Sequence, residues 1–176
     1  MDPHRTDVAS EWVVRWAPLI ERGPVLDMAC GAGRHAIFFA ERGYEVFAVD
    51  RDDQRLPGAI HFIKADLEDG PPWPFAGKKF AAIVVTNYLH RPLLRHLAER
   101  LDEGGVLIYE TFMLGNERYG RPSNPSFLLR PGELLQAFGS LTVVAFEQGM
   151  VEWPKKAVVQ RICVIRGEAG SVRIRA

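Results

Sequence analysis

The sequence is poor in cysteine, with two among 176 residues, Cys30 and Cys163. So few, placed so far apart, exclude a disulfide framework and a cysteine-built metal centre, and no metal is expected. There is no surplus charge of either sign, since 22 Lys and Arg balance 22 Asp and Glu. Without a basic field, nucleic acid is not expected as a partner. No apolar run is long enough to span a bilayer, and the opening "MDPHRTDVASEW" has no apolar signal core. The expectation is a cytoplasmic protein with no membrane partner. Internal repeats and low-complexity tracts are missing as well, which sets aside solenoids and extended disorder.

What is present suits a packed domain. Apolar residues make up 47% of the chain, enough to bury a sizeable core, and the length fits one domain over residues 1–176. Residues 7–17 read as a helix with Trp12 and Trp16 four apart on one face, closed by Pro18. Within the segment 1–18, that helix either packs on the domain or serves as a lid, and residues 168–176 form a tail. Short apolar runs follow: "VLDMA", "YEVFAVD", "AIHFIKAD", "KKFAAIVVTN" and "GVLIYETF". Helical stretches alternate with some of them, at "RHAIFFAER", stopped by Gly43, and at "PLLRHLAERL", ended before a Gly104–Gly105 turn. "RPGELLQAFG" reads as a further helix, with Pro131 at its first position and Gly139 past its end. Two more strands close the chain, "LTVVAFEQ" and "AVVQRICVIRG".

Strands alternating with helices predict an α/β fold, a three-layer Rossmann-like arrangement with a mostly parallel seven-stranded sheet. The short link before the last strand cannot make a parallel crossover, so that strand is expected to run antiparallel. The segments between strands two and three, and three and four, are short, polar or rich in proline. No full helix is expected in either.

In such sheets ligands bind beyond the carboxyl ends of the strands. Asp27, Asp50, Asp66 and Asn87 fall near the ends of strands one to four and are expected to line one rim. Gly31 and Gly33 let the first turn approach a ligand, because neither carries a Cβ. The helix that follows offers unpaired N–H donors, which favour a carboxylate or phosphate. Asp50 stands at the spacing of an acid that accepts hydrogen bonds from ribose hydroxyls. Asp66 suits an exocyclic amine such as adenine's, and Asp27 a cationic group.

These residues resemble the class I S-adenosylmethionine-dependent methyltransferase family. "VLDMACGAG" resembles its first motif, Asp50 after "VFAV" its ribose-holding acid, "KADLED" its adenine segment, and "VVTNYLH" the motif after strand four. The likeness runs in order over about residues 20–167, and the small size is similar to the tellurite-resistance and thiopurine-type members. It implies methyl transfer from S-adenosyl-L-methionine to a small-molecule acceptor, leaving S-adenosyl-L-homocysteine. It further implies cofactor contacts at Asp27, Ala29, Gly31, Gly33, Asp50, Arg51, Asp66, Leu67 and Asn87. Ala29 stands where the family has the first glycine of the turn, which is tolerable at a negative φ. "NYLH" departs from the Asn/Asp-Pro-Pro-Tyr signature, which argues against methylation of DNA amines or glutamine amides. Gly31, Gly33 and Ala36 also satisfy the dinucleotide fingerprint. A nicotinamide-dependent oxidoreductase is therefore the competing reading, and a cofactor-binding subunit without turnover a third.

A sulfonium methyl is already activated, so alignment is the main task and a base matters only for a protonated acceptor. Candidate bases are His90, which follows strand four, and Tyr88, with His35 and Tyr119 behind them. The competing role for His90 is to cap or pack at the next helix, and for His35 to pack in the first helical turn. The long polar loop "FMLGNERYGRPSNPSF" follows strand five, where loops carry specificity. Its Arg118, Tyr119 and Arg121 are candidates to hold an anionic or planar substrate. Cys30 is expected to be a buried filler rather than a nucleophile.

Overall fold

The computed structural model describes residues 8–69 and 73–171. Its elements are α1 (Glu11–Trp16), β1 (Val25–Met28), α2 (Arg34–Ala40), β2 (Val46–Asp50), β3 (Ile60–Lys64), β4 (Phe80–Thr86), α3 (Arg91–Glu99), β5 (Leu101–Phe112), α4 (Glu133–Phe138), β6 (Thr142–Val151) and β7 (Ala157–Ile165). The strands form one seven-stranded sheet in the order β3-β2-β1-β4-β5-β7-β6. β1 to β5 pair in parallel, and β7 runs antiparallel to both β5 and β6. The expected architecture, including the reversed last strand, is the one observed.

The central strand β1 is apolar except for the buried Asp27, because both faces are covered. All four residues of β1 are buried. One face packs Trp12, Val13, Ala36 and Phe39 of α1 and α2 against Val25, Ala82, Ile108 and Cys163. The other packs Leu94, Leu97, Leu134 and Phe138 of α3 and α4 against Leu26, Ile83 and Leu107. Neither short connection forms a helix in its described part. An aromatic cluster covers the sheet where one is missing: Phe75 meets Phe47 and Phe80 edge to face, and Trp73 meets Phe75. Between β2 and β3 the chain instead lays Leu56 over the glycine turn, close enough that a Cβ on Gly33 would lie 2.4 Å from Leu56 Cδ2.

Three local expectations are corrected. The first helix is shorter than residues 7–17; Ser10 caps it by accepting the Val13 N–H, and its last turn tightens to 3₁₀ over Ala17–Leu19. Residues 1–7 lie outside the described residues. Gly104–Gly105 is not a turn between a helix and a strand but part of a bulge within β5, which already begins at Leu101 and whose pairing with β4 jumps from Leu101–Phe80 to Val106–Ala82. Pro131 precedes α4 rather than opening it, because Gly132 takes the cap position at φ 71°. The amides there are satisfied from the sheet, with Gln148 Oε1 accepting from Gly132 N–H and Gln160 Oε1 from Leu134 N–H.

Trp12 is buried and donates from Nε1 to the Ile162 carbonyl, so α1 lies against the sheet. Its Arg15 joins Glu147, which with Glu110 holds Arg161, tying the first helix to the last hairpin. Among the described residues no helix is long and apolar enough to cross a membrane.

Candidate active site

The parallel strands end on one rim, and a cleft of about 490 Å³ opens there, within the range of small-ligand sites. Each strand from β1 to β5 sends its terminal residues into it. Ala29 and Gly31 come after β1, Asp50 and Arg51 at β2, Asp66 and Leu67 after β3, Asn87 and Tyr88 after β4, and Thr111 and Phe112 from β5. The rule that placed the first four strand ends on the rim extends to β5, so Thr111 and Phe112 were within reach of the sequence. Phe127 and Pro122, which close the far wall, carry no such signal.

The glycine turn is wired to the acids. Asp50 accepts the Gly31 N–H at 2.8 Å and the Asp52 N–H at 3.0 Å. A carboxylate has about four acceptor sites, so Asp50 keeps capacity for hydroxyls in the cleft. Asp66 accepts the Glu68 N–H at 2.9 Å and is exposed on the same wall. Gly31 sits at φ 51° with nothing within 4 Å of where a Cβ would stand. That open cradle is the close approach expected of this position.

Other sequence candidates are placed differently. Asp27 does not face the cleft. It is buried beneath the turn and accepts the Ala36 N–H of α2 at 2.9 Å. One of the helix N–H donors expected to meet an external anion is thus taken from inside the protein. Burial raises the Asp27 carboxyl to about 7, against the lowering effects of the Ala36 N–H and Arg34. Gly33 lies at the α2 cap, off the cleft wall, at φ 76° under Leu56. Ala29 adopts φ 53°, not the negative φ expected of it. The turn holds the left-handed geometry of a glycine although the residue is not one.

His90 occupies the cap position of α3 without a side-chain cap bond and does not line the cleft. Tyr88 does line it, and burial, with the Glu68 carboxylate nearby, pushes its phenol up. His35 is buried. Its Nε2 accepts the Ser10 N–H at 3.1 Å, which places the proton on Nδ1, facing the Thr86 hydroxyl at 3.4 Å. Burial, with Arg34 nearby, lowers it to about 3. It is a neutral strut between α1, α2 and β4. Cys30 is buried, and burial raises its thiol to about 12. It is inert as a nucleophile.

Arg118, Tyr119 and Arg121 are exposed and absent from the cleft wall. The loop turns on buried Asn116, which donates to the Pro122 carbonyl and accepts from Val158 N–H. This anchor swings Tyr119 out toward Lys156, 5.2 Å from its ring, and Pro122 inward. Among the described residues no group of acids, histidines and cysteines could hold a metal ion.

A family model described as a methyltransferase domain matches residues 1–130. YqeM of Bacillus subtilis, a methyltransferase by name, is 40% identical over 72 residues, 36% of this chain and 28% of that protein. Among solved structures, TehB from Haemophilus influenzae superimposes with a TM-score of 0.75 at 18% identity, over 93% of this chain and 64% of TehB. The 1,6-didemethyltoxoflavin-N1-methyltransferase of Burkholderia thailandensis, solved with its acceptor and S-adenosylhomocysteine, does so at 0.67 and 16% identity, over 94% of this chain and 80% of that one. The chain thus spans under two thirds of YqeM and of TehB. At these identities the solved structures bear on the fold alone.

Proposed function

This chain belongs to the methyltransferase-domain family, and from that premise we propose that it transfers a methyl group from S-adenosyl-L-methionine to a small-molecule acceptor. The observation that carries the reading is the rim itself. Asp50 and Asp66 stand on adjacent strand ends beside an open glycine cradle, in a cleft large enough for a nucleoside and a second small molecule.

In this reading Asp50 accepts the ribose hydroxyls and Asp66 the adenine amine, with Leu67 and Arg51 flanking the base. Ala29, Gly31 and Asn87 border the amino-acid end. Asp27 and Gly33 act from below, fixing the turn and the start of α2. When bound, the cofactor supplies a methyl carried on a positively charged sulfur. The protein's part is to hold the acceptor heteroatom in line with that carbon. An acceptor that arrives protonated would release its proton to water in the open cleft. Neither His90 nor Tyr88 is needed as a base. The domain fills the chain from α1 to the last strand. A reducing, cytoplasmic setting is part of the reading, supported by two buried cysteines that remain free.

Calorimetry with S-adenosylhomocysteine and, separately, with NAD tests the proposal. Binding of the first and not the second is expected. Binding of NAD alone would overturn it in favour of a dinucleotide-dependent oxidoreductase. Release of S-adenosylhomocysteine on incubation with the labelled cofactor and candidate acceptors then separates an enzyme from a silent binding subunit.

A further inference from the structure

We propose that the acceptor half of the cleft takes a flat, uncharged aromatic ring bearing a nucleophilic oxygen, nitrogen or sulfur, held against Phe127; this rests on the methyl-transfer reading above. The cleft is asymmetric in charge. Its carboxylates, Asp50, Asp52, Asp66 and Glu68, all come from the β2 and β3 side. Among the described residues the single cation on its walls is Arg51, whose guanidinium is 3.9 Å from Asp52. Everything contributed by β4, β5 and the loop beyond β5 is uncharged. An anionic acceptor would meet carboxylates on one side and, among the described wall residues, no positive group on the other. Arg118 and Arg121, candidates with Tyr119 for holding an anionic or planar substrate, are exposed and absent from the cleft wall.

The uncharged end is walled by Leu89, Phe112, Pro122 and Phe127, with Asn87, Tyr88 and Thr111 bringing its polar groups. Phe127 is the telling residue. It is 47% exposed, yet the backbone around it is pinned. Arg91 donates from Nη1 to the Ser126 carbonyl and from Nη2 to the Leu128 carbonyl, both at 2.8 Å. The same guanidinium forks onto Glu133, which in turn accepts the Arg130 N–H. Three backbone groups on either side of an exposed ring are thereby fixed by one ion pair. A large apolar side chain held out over a cleft at this expense of polar contacts is pre-organised for a ligand face. Aromatic rings favour offset or edge-to-face partners, which selects flat acceptors over saturated ones.

The test measures binding of naphthol, naphthoate and decalinol by calorimetry, with and without S-adenosylhomocysteine, to the wild type, Phe127→Ala and Phe127→Tyr. Naphthol is expected to bind the wild type roughly tenfold more tightly than naphthoate, the like-charge penalty of a partly solvated site. It is also expected to exceed decalinol, and Phe127→Ala should weaken naphthol by about fivefold or more while Phe127→Tyr retains it. S-adenosylhomocysteine affinity should stay the same in all three proteins. Naphthoate binding as well as naphthol, no effect of Phe127→Ala, or no ring bound by the wild type would each overturn this inference. If S-adenosylhomocysteine binds normally in that case, the methyl-transfer reading stands; if it fails to bind the wild type, that reading falls first.

Discussion

Beneath the glycine turn the buried carboxylate of Asp27 accepts the Ala36 N–H at 2.9 Å, fastening β1 to the first turn of α2. One residue before Ala36, buried His35 joins the same helix to Ser10 and Thr86. Their acidities are displaced in opposite senses, Asp27 from 3.8 to about 7 and His35 from 6.5 to about 3, burial being the largest cause in each. The folded chain keeps the Asp27 proton that the unfolded chain has released above pH 3.8, so this group costs stability as pH rises toward 7. The unfolded chain takes up a proton on His35 below pH 6.5 that the folded chain refuses, so this group costs stability as pH falls toward 3. Between these limits the two slopes cancel. Urea titrations from pH 4 to 6.5 should show nearly constant stability from this pair. Asp27→Asn should leave stability rising with pH, by about 1.4 kcal/mol per pH unit, and His35→Gln should leave it falling by a similar amount. Parallel pH profiles in the two variants would refute the assignment.

Asp50 accepts the Gly31 and Asp52 N–H groups with its two oxygens, and in the proposed reading the same oxygens also meet the cofactor's ribose. Asp50→Asn keeps one acceptor for the Gly31 N–H and loses the charge. It should weaken S-adenosylhomocysteine about tenfold to a hundredfold, as expected when hydrogen bonds to a charged group, about 1.5–3 kcal/mol each, become neutral ones. Asp50→Ala should also lower the melting temperature, because Gly31 and Asp52 lose their acceptor. Unchanged affinity in Asp50→Asn, read by calorimetry, would remove Asp50 from the site.

Two neighbours in the turn should respond in opposite directions. Ala29 is an L-residue at φ 53°, a conformation that costs about 1–2 kcal/mol with a Cβ. Ala29→Gly relieves that strain but adds freedom to the unfolded chain, leaving a net gain of about 1 kcal/mol or less. A melting temperature higher by up to roughly 4 °C is expected for a domain of this size. Gly31→Ala, at φ 51°, should lose a similar amount. Its new methyl also enters the open cradle, so cofactor affinity should drop with it.

Much of this arrangement could be read from the chain. Apolar runs punctuated by acids mark β1, β2 and β3, and the short link before "AVVQRICVIRG" forces the antiparallel pair. The rim acids follow from strand ends alone. What could not be read depends on partners distant in sequence. Asp27 pairs with Ala48, two residues short of Asp50, and β1 is central and covered by α2 whereas Asp50 ends its strand at the rim, so one carboxylate is buried and the other lines the cleft. Arg118 and Arg121 are turned away by Asn116, whose bonds reach Val158 in β7. The sign of φ at Ala29 is set by the closure of the turn onto Val49, whose carbonyl accepts the Cys30 N–H. Local propensity, which disfavours that angle for alanine, is overridden there.

Arg91 should control the acceptor wall without touching the cofactor. Its planar fork meets two carbonyls and the Glu133 carboxylate together, a geometry that a lysine ammonium cannot reproduce. Arg91→Lys and Arg91→Met are therefore both expected to release residues 126–130. Hydrogen exchange at Leu128 and Arg130 should quicken by about tenfold in each, as local opening becomes easier. Naphthol affinity should fall as far as in Phe127→Ala, because the ring is no longer held over the cleft. S-adenosylhomocysteine affinity should remain that of the wild type, since Asp50, Asp66 and the glycine turn lie at the opposite end of the rim. A merely structural Arg91 would lower the melting temperature and leave the ratio of naphthol to decalinol affinity unchanged. That ratio is the quantity to measure, and its persistence in Arg91→Met would show that the clamp does not set the acceptor site.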